Sequence, residues 1–166
     1  MALSYPWLEA LIDWWAAERP IEWQKLFPGR EGLEVEIGCG YGDFLARKAS
    51  ENPRRAFVGL DQEWMAVRRA LKKIRAGGLK NAGVLKADAR VVLERLFPPR
   101  SIESAYSLFP CPWPKKRHVK YRLFSHDFLR LLNSRMKDER RVTVVTDHGE
   151  YLAWILDQLP GAGFEV

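Results

Sequence analysis

The sequence predicts a doubly wound α/β domain built on a mostly parallel sheet, and three observations predict it. Short apolar runs alternate with helix-length amphipathic segments along most of the chain, an order that favours parallel strands with helices on both faces. Three of those runs end in acids or glycines: Glu36-Ile37-Gly38-Cys39-Gly40-Tyr41-Gly42, Asp61 and Asp88. Ligands of such sheets gather outside the carboxyl ends of the strands, which is where all three marks fall.

Taken in order, an N-terminal extension of about 1–30 comes first, with an amphipathic helix expected near 8–17. Trp7, Trp14, Trp15 and Trp23 in it read as packing residues, because aromatics at these spacings fill cores. Strands are expected near 33–37, 56–60, 83–87, 103–108 and 141–146. Helices are expected near 43–50, 62–76, 89–96, 125–136 and 148–159. In the helix at 62–76, Trp64, Val67, Leu71 and Ile74 form an apolar stripe at helical spacing. Arg68, Arg69, Lys72, Lys73 and Arg75 fall largely away from it and read as a solvated face. Ser125, followed by Asp127 and the Phe128, Leu131, Leu132 stripe, marks a capped helix start. Leu152, Ile155, Leu156 and Leu159 form the last stripe, stopped by Pro160-Gly161. With no repeat, linker or low-complexity tract, 1–166 reads as a single domain. Phe164-Glu165-Val166 looks like the opening of another strand, and a sheet of this type normally has two more. The last strands therefore look missing, and the strand near 141–146 is expected to be a long apolar edge. Either a cropped chain or a partner covering that edge is the expectation.

Composition sets limits. Hydrophobic residues make up 47% and charged residues 29% of 166 positions, a globular balance with enough chain for a core. No apolar run nears the ~20 residues that cross a bilayer, and 1–6 lacks a basic region leading into an apolar core, so no membrane anchor and no secretory signal are expected. Two cysteines, Cys39 and Cys111, without a C-x-x-C spacing suggest the reducing cytoplasm and no structural zinc. The three histidines are too dispersed for a ligand cluster, so no metal is expected. Lys and Arg outnumber acids 27 to 21, a net +6. The dense run Lys115, Lys116, Arg117, His118, Lys120, Arg122 reads as a polyanion contact.

The glycines come next. After the run Leu33, Val35, Ile37, glycine lets a tight turn pass close to a ligand that any Cβ would meet. Dinucleotide enzymes use G-x-G-x-x-G, with the third glycine packing helix on strand. Here Asp43 holds that position and Gly42 comes one residue early, a spacing that favours S-adenosylmethionine over NAD. Asp61, ending the second strand, suits the ribose hydroxyls, and Asp88 suits the adenine amino group. The alternative for either acid is to cap the helix that follows.

The fourth strand runs into Phe109-Pro110-Cys111-Pro112-Trp113-Pro114-Lys115-Lys116-Arg117-His118. Three prolines within five residues stiffen the loop where an acceptor should sit, Trp113 offers a flat surface for a base, and the cations offer charge to phosphates. This stretch resembles the signature F-P-D-P-W-P-K-K-R-H-x-K-R-R-L of the tRNA (guanine-N7-)-methyltransferase family. E-I-G-x-G-x-G from Glu36, N-P-x-x-x-F-x-G from Asn52, Asp88-Ala89, and T-D-x-x-x-Y at Thr146, Asp147 and Tyr151 match in the same order. The resemblance implies a Rossmann-like class I methyltransferase that modifies guanine in the tRNA variable loop, position 46. It implies cofactor contacts from Glu36, Gly38, Gly40, Gly42, Asp61, Asp88 and Ala89. It implies catalytic positions at Asp147 and Cys111, and tRNA contacts from Trp113, Lys115, Lys116, Arg117, Lys120, Thr146 and Tyr151. Asp147 has an alternative as the N-cap of the helix near 148–159. Two departures from the family matter. Cys111 stands where the family has aspartate and cannot replace its charge, and the family's C-terminal Thr and Glu have no counterpart here. Other readings are a tRNA- or partner-binding paralogue without transfer, and the same chemistry on another substrate. A second copy or a partner subunit fits either.

Overall fold

The structure, a computed structural model, describes residues 6–166, with side chains from Leu8 onward. The expectation about the start of the chain and the packing expected of Trp7 lie outside the described residues. A one-turn helix α1 (Trp23–Leu26) precedes β1 (Leu33–Ile37), α2 (Asp43–Glu51), β2 (Ala56–Asp61), α3 (Trp64–Ala76), β3 (Ala82–Lys86), α4 (Ala89–Leu96), β4 (Ile102–Leu108), α5 (His126–Arg135), β5 (Met136–Val145) and α6 (Gly149–Gln158). The strands lie in the order β3-β2-β1-β4-β5, and every pairing is parallel. The chain thus winds outward from β1 through β2 to β3, then crosses back to β4, leaving a switch point between β1 and β4 where such sheets bind ligands.

Alternate residues of the strands feed two apolar layers. Val35, Ile37, Val58, Leu60 and Ile102 pack with α4, α5 and α6 through Leu93, Leu96, Phe128, Leu132 and Ile155. Phe57 and Val84 face the other way, onto Leu45 of α2 and Val67, Leu71 and Ile74 of α3. The expected stripe of α3 is therefore correct apart from Trp64, which is exposed.

Three expectations need correction. No helix forms over 8–17. A 3-10 turn at Pro6–Ala10 gives way to an extended stretch in which Leu11 bridges β3 at Val84 and Ile12 N donates to Val84 O at 2.9 Å. The outer edge of β3 presents unpaired backbone groups, and pairing with them outweighs a local helical pattern. In the same segment Trp14 is buried, donating Nε1 to Lys86 O at 3.2 Å, and Trp23 packs on Phe97. Trp15, stacked on Trp14, remains largely exposed, so it is not a core residue. The third correction concerns β5. It begins at Met136, and its outer edge is not uniformly apolar, because Lys137, Asp138, Glu139, Arg140 and Arg141 occupy its first half. Lys137 and Arg140 pair with buried Glu103. Burial pushes the Glu103 carboxyl up, but Lys137, Arg140 and Arg55 together hold it below the usual range. Charge on an edge strand discourages further pairing. No described helix is long and apolar enough to cross a membrane.

Candidate active site at the carboxyl edge of the sheet

The β1–α2 loop is set by its glycines. Gly38 and Gly40 adopt φ of +76° and +52°, and a Cβ on either would meet nothing within 4 Å, so both border open space. Gly42 is different: at φ +73° its Cβ would lie 2.7 Å from Ala70 Cβ and 2.9 Å from Ala70 Cα. Gly42 therefore lets α3 approach α2. Gly59 serves a similar end in β2, where a Cβ would strike Cys39 Sγ and Leu45 Cδ2, both at 2.8 Å. Burial pushes the Cys39 thiol up, leaving it inert packing.

Acids from three strand ends converge on this loop. Asp61 Oδ2 accepts from Gly40 N and its Oδ1 from Glu63 N, each at 2.9 Å. It thereby ties the β1 loop to the β2 end. The cap of α3 is Glu63, not Asp61. Asp88 is the N-cap of α4, accepting from Arg90 N at 2.8 Å, so its capping alternative holds. Ala89 opens that helix, buried beneath it. The two buried acids of β1 differ. Glu34 accepts from Tyr106 Oη at 2.8 Å and faces Arg55 at 3.3 Å. Glu36 has a buried Oε2 without a partner. Burial, reinforced by Asp61 and Asp43, pushes its carboxyl up to about 8 against the opposing Leu45 amide, which lies in the first turn of α2. Glu36 thus keeps a buried oxygen free to bond a ligand.

Across the switch point, β4 ends in a constrained loop. Phe109 and Trp113 adopt φ of +53° and +45°, a region bulky residues enter only under surrounding constraint. Phe109 N donates to Val145 O at 2.7 Å, which pins the turn to the end of β5. The Phe109 ring is 64% exposed. Trp113 packs edge-on against His118 at 5.6 Å and against Tyr121 at 5.3 Å. Most of the basic run lies on a 3-10 helix at Lys116–Tyr121, absent from the expected elements, with Lys115, Lys116, Arg117 and Lys120 exposed, whereas Arg122 is buried behind the loop and is not the polyanion contact expected of it.

One cleft of about 530 Å³ joins these halves. Gly38, Gln62, Asp88 and Arg90 form one wall, and Phe109, Cys111, Trp113 and Tyr121 the other. Two larger clefts, about 640 and 740 Å³, lie beside the β3 edge and the β5 edge, away from this constellation.

The remaining expected residues sit around the cleft rather than in it. Asp147 is exposed beyond the end of β5 and is not the cap of α6. His148 is that cap, its Nδ1 accepting from Tyr151 N at 3.2 Å. Thr146 Oγ1 accepts from His148 N at 3.2 Å, committing its hydroxyl to the turn. Tyr151 is wholly buried, its hydroxyl unpartnered and pushed up by burial, so it supports the site from below instead of lining it. Gln62, Arg90, Phe109 and Tyr121 were absent from the expected site. Only Tyr121, an aromatic inside a basic run, carries a signal in the sequence that would have found it. Among the described residues, no three His, Cys, Asp or Glu side chains stand together as a metal site.

Residues 30–164 match a family described as a putative methyltransferase. A tRNA (guanine-N(7)-)-methyltransferase of Chlorobium phaeobacteroides is 45% identical over 134 residues, covering 81% of this chain and 66% of that relative. One of the same name from Thermotoga maritima is 39% identical over 147 residues, covering 89% of this chain and 47% of the relative. This chain thus spans about half to two thirds of the length of these curated relatives. Among solved structures, an antibiotic-related methyltransferase aligns with a TM-score of 0.66 at 20% identity over 87% of this chain and 74% of its own. A SAM-dependent methyltransferase from Aquifex aeolicus aligns at 0.62 and 20% identity, over 98% and 85%. At that identity the likeness concerns the fold.

Proposed function

We propose, on the premise that this chain belongs to the putative methyltransferase family, that it transfers a methyl group from S-adenosylmethionine to N7 of a guanine in tRNA. The observation that carries the reading is a cleft that brings Gly38 and Asp88, from the glycine and acid marks, opposite Phe109, Cys111 and Trp113 of the proline-locked loop. The names of its relatives support the substrate, and the motif resemblance points to position 46 of the variable loop. A cytoplasmic site of action accords with two free cysteines.

The cofactor fits the residues present. Gly38 and Gly40 leave room where a Cβ would stand, and Glu36 Oε2 is an orphaned buried acceptor. Asp61 uses one backbone donor per oxygen, leaving a lone pair on each for ribose hydroxyls. Glu36, Asp61 and Asp88 would hold it. When bound, its sulfonium supplies an electrophilic methyl, and the positive charge passes to the guanine ring as the N7–C bond forms and the C–S bond breaks. Guanine N7 carries an in-plane lone pair and no proton, so no side chain here must act as general base. The chain's task is alignment in the cleft together with carboxylate stabilisation of the developing cation. Asp147, exposed just beyond the end of β5, is the carboxylate that the motif resemblance assigns to that role. Lys115, Lys116, Arg117 and Lys120 hold the tRNA backbone. Thr146 and Tyr151 act indirectly, by shaping the turn and floor beneath Asp147.

The test is transfer of radiolabelled methyl from S-adenosylmethionine to an unmodified tRNA transcript, with the product nucleoside identified. 7-Methylguanosine is the expected product, and label in any other nucleoside overturns the assignment to N7. Cys111→Asp, which restores a carboxylate to the cleft, should raise turnover about tenfold, equivalent to ~1.4 kcal/mol in barrier height. Flat or lower turnover removes the missing carboxylate as the limitation. Cys111 also favours a second reading, tRNA binding without transfer, whose signature is retained cofactor and RNA binding with no labelled product.

A further inference from the structure

Two arginines, Arg90 in one wall and Arg122 behind the other, link the two sides of the cleft. Arg122 is only 7% exposed. Its guanidinium lies over the rings of Tyr151 at 5.3 Å and Trp154 at 5.2 Å, and Nε donates to the Pro112 carbonyl at 2.9 Å, one residue beyond Cys111. A buried charge is costly unless compensated, and here aromatic faces and a loop carbonyl provide the compensation. Arg90 stands on the opposite wall. Its Nη2 donates across the cleft to the carbonyls of Tyr121 at 3.3 Å and Arg122 at 3.2 Å, while Nη1 faces Asp88 Oδ2 at 3.5 Å. Contacts therefore run without a break from the acid on the cofactor wall, through Arg90 and the backbone of Arg122, to the Arg122 side chain and the loop carrying Cys111.

We infer that Arg90 and Arg122 are positioning residues that hold the acceptor loop in register with the cofactor wall, so that filling one wall favours filling the other. The inference rests on the reading proposed above. At 3.5 Å, the Arg90–Asp88 contact is the loosest link. A ligand donor that takes Asp88 leaves the planar fork of Arg90 to the two loop carbonyls alone, which stiffens the acceptor side.

The test measures binding of an unmodified tRNA transcript with and without saturating S-adenosylhomocysteine, and S-adenosylhomocysteine binding alone by calorimetry. In the parent protein the cofactor product should tighten transcript binding about fivefold or more. In Arg90→Gln that ratio should fall to near one. Arg122→Lys, which keeps the charge and loses the fork, should fall between them. A purely structural role would lower the thermal midpoint and both affinities while leaving the ratio intact, and that result overturns the inference. So does a parent that binds S-adenosylhomocysteine with no effect on transcript affinity, a result that leaves the functional reading standing. A parent that does not bind S-adenosylhomocysteine overturns that reading and this inference with it.

Discussion

On the cofactor wall, acids meet backbone amides close at hand. Asp61 holds Gly40 and Glu63, and Asp88 holds Arg90, with loop and strand end supplying donor and acceptor together. The acceptor wall is held from afar. Arg122 reaches back to Pro112 and rests on rings of α6, Arg90 arrives from α4, and Phe109 is pinned by the end of β5. The first wall is set within the β1–β3 half of the sheet, where Asp61 ties the β1 loop to the end of β2 and Asp88 caps the next helix. The second is positioned only once α4, α5, β5 and α6 have packed, and it keeps positive φ at Phe109 and Trp113 as the mark of that imposed geometry. A wall that recognises an invariant cofactor benefits from self-sufficiency. On the function proposed above, the wall facing RNA is the one that depends on its surroundings.

The comparison can be broken at the cofactor wall first. Glu36 is neutral in the fold at a pH where the unfolded chain ionises it, so its contribution to stability is fully present below about pH 4.5 and is lost as pH rises through about 8. Glu36→Gln removes that dependence. Its stability relative to the parent should climb between those limits by an amount on the order of 5 kcal/mol, read from denaturant melts across the range. Parallel pH profiles for the two proteins would show that Glu36 is not the buried proton-binding group. Gly42→Ala should cost about 2–4 kcal/mol, from a clash with Ala70 added to left-handed strain. Gly38→Ala, bordering open space, should spare stability more than it spares cofactor affinity. Equal melting temperatures for Gly42→Ala and the parent would contradict the packing role. Asp61→Ala should weaken cofactor binding by about 1–3 kcal/mol, through lost acceptors and a loosened Gly40 amide. Unchanged calorimetric affinity would remove Asp61 from the seat. The smallest effect belongs to the outer rim of the acceptor wall, where Lys116→Ala should lower the slope of log affinity against log salt by about 1 with little change in stability. An unaltered slope would place RNA elsewhere.

Periodicity and punctuation were enough to read β1, β2, β3, α2, α3 and α4 nearly to the residue, because each carries its own apolar stripe and its own stop. They misled at 8–17, where the free edge of β3 captured an amphipathic stretch, and at β5, whose charged first half reads as a loop until Glu103 supplies partners for Lys137 and Arg140. Of the residues that line the cleft, Gly38, Asp88, Cys111 and Trp113 stand out in the sequence by motif spacing. Arg90 and Phe109 were not, since nothing local sets apart an arginine two residues into a helix or a phenylalanine ending a strand.

From sequence alone came the alternating architecture, the glycine and acid marks at three strand ends, and the basic proline-locked loop after β4. These are local patterns, fixed by backbone freedom and by side-chain period. Tertiary structure alone decided that Gly42 is a packing glycine, that His148 and not Asp147 caps α6, that Tyr151 is a buried support, and that Glu36 keeps its proton near neutrality. Each of those depends on which atoms of distant segments come within a few ångströms, and on how much water they exclude, quantities that a one-dimensional pattern does not contain.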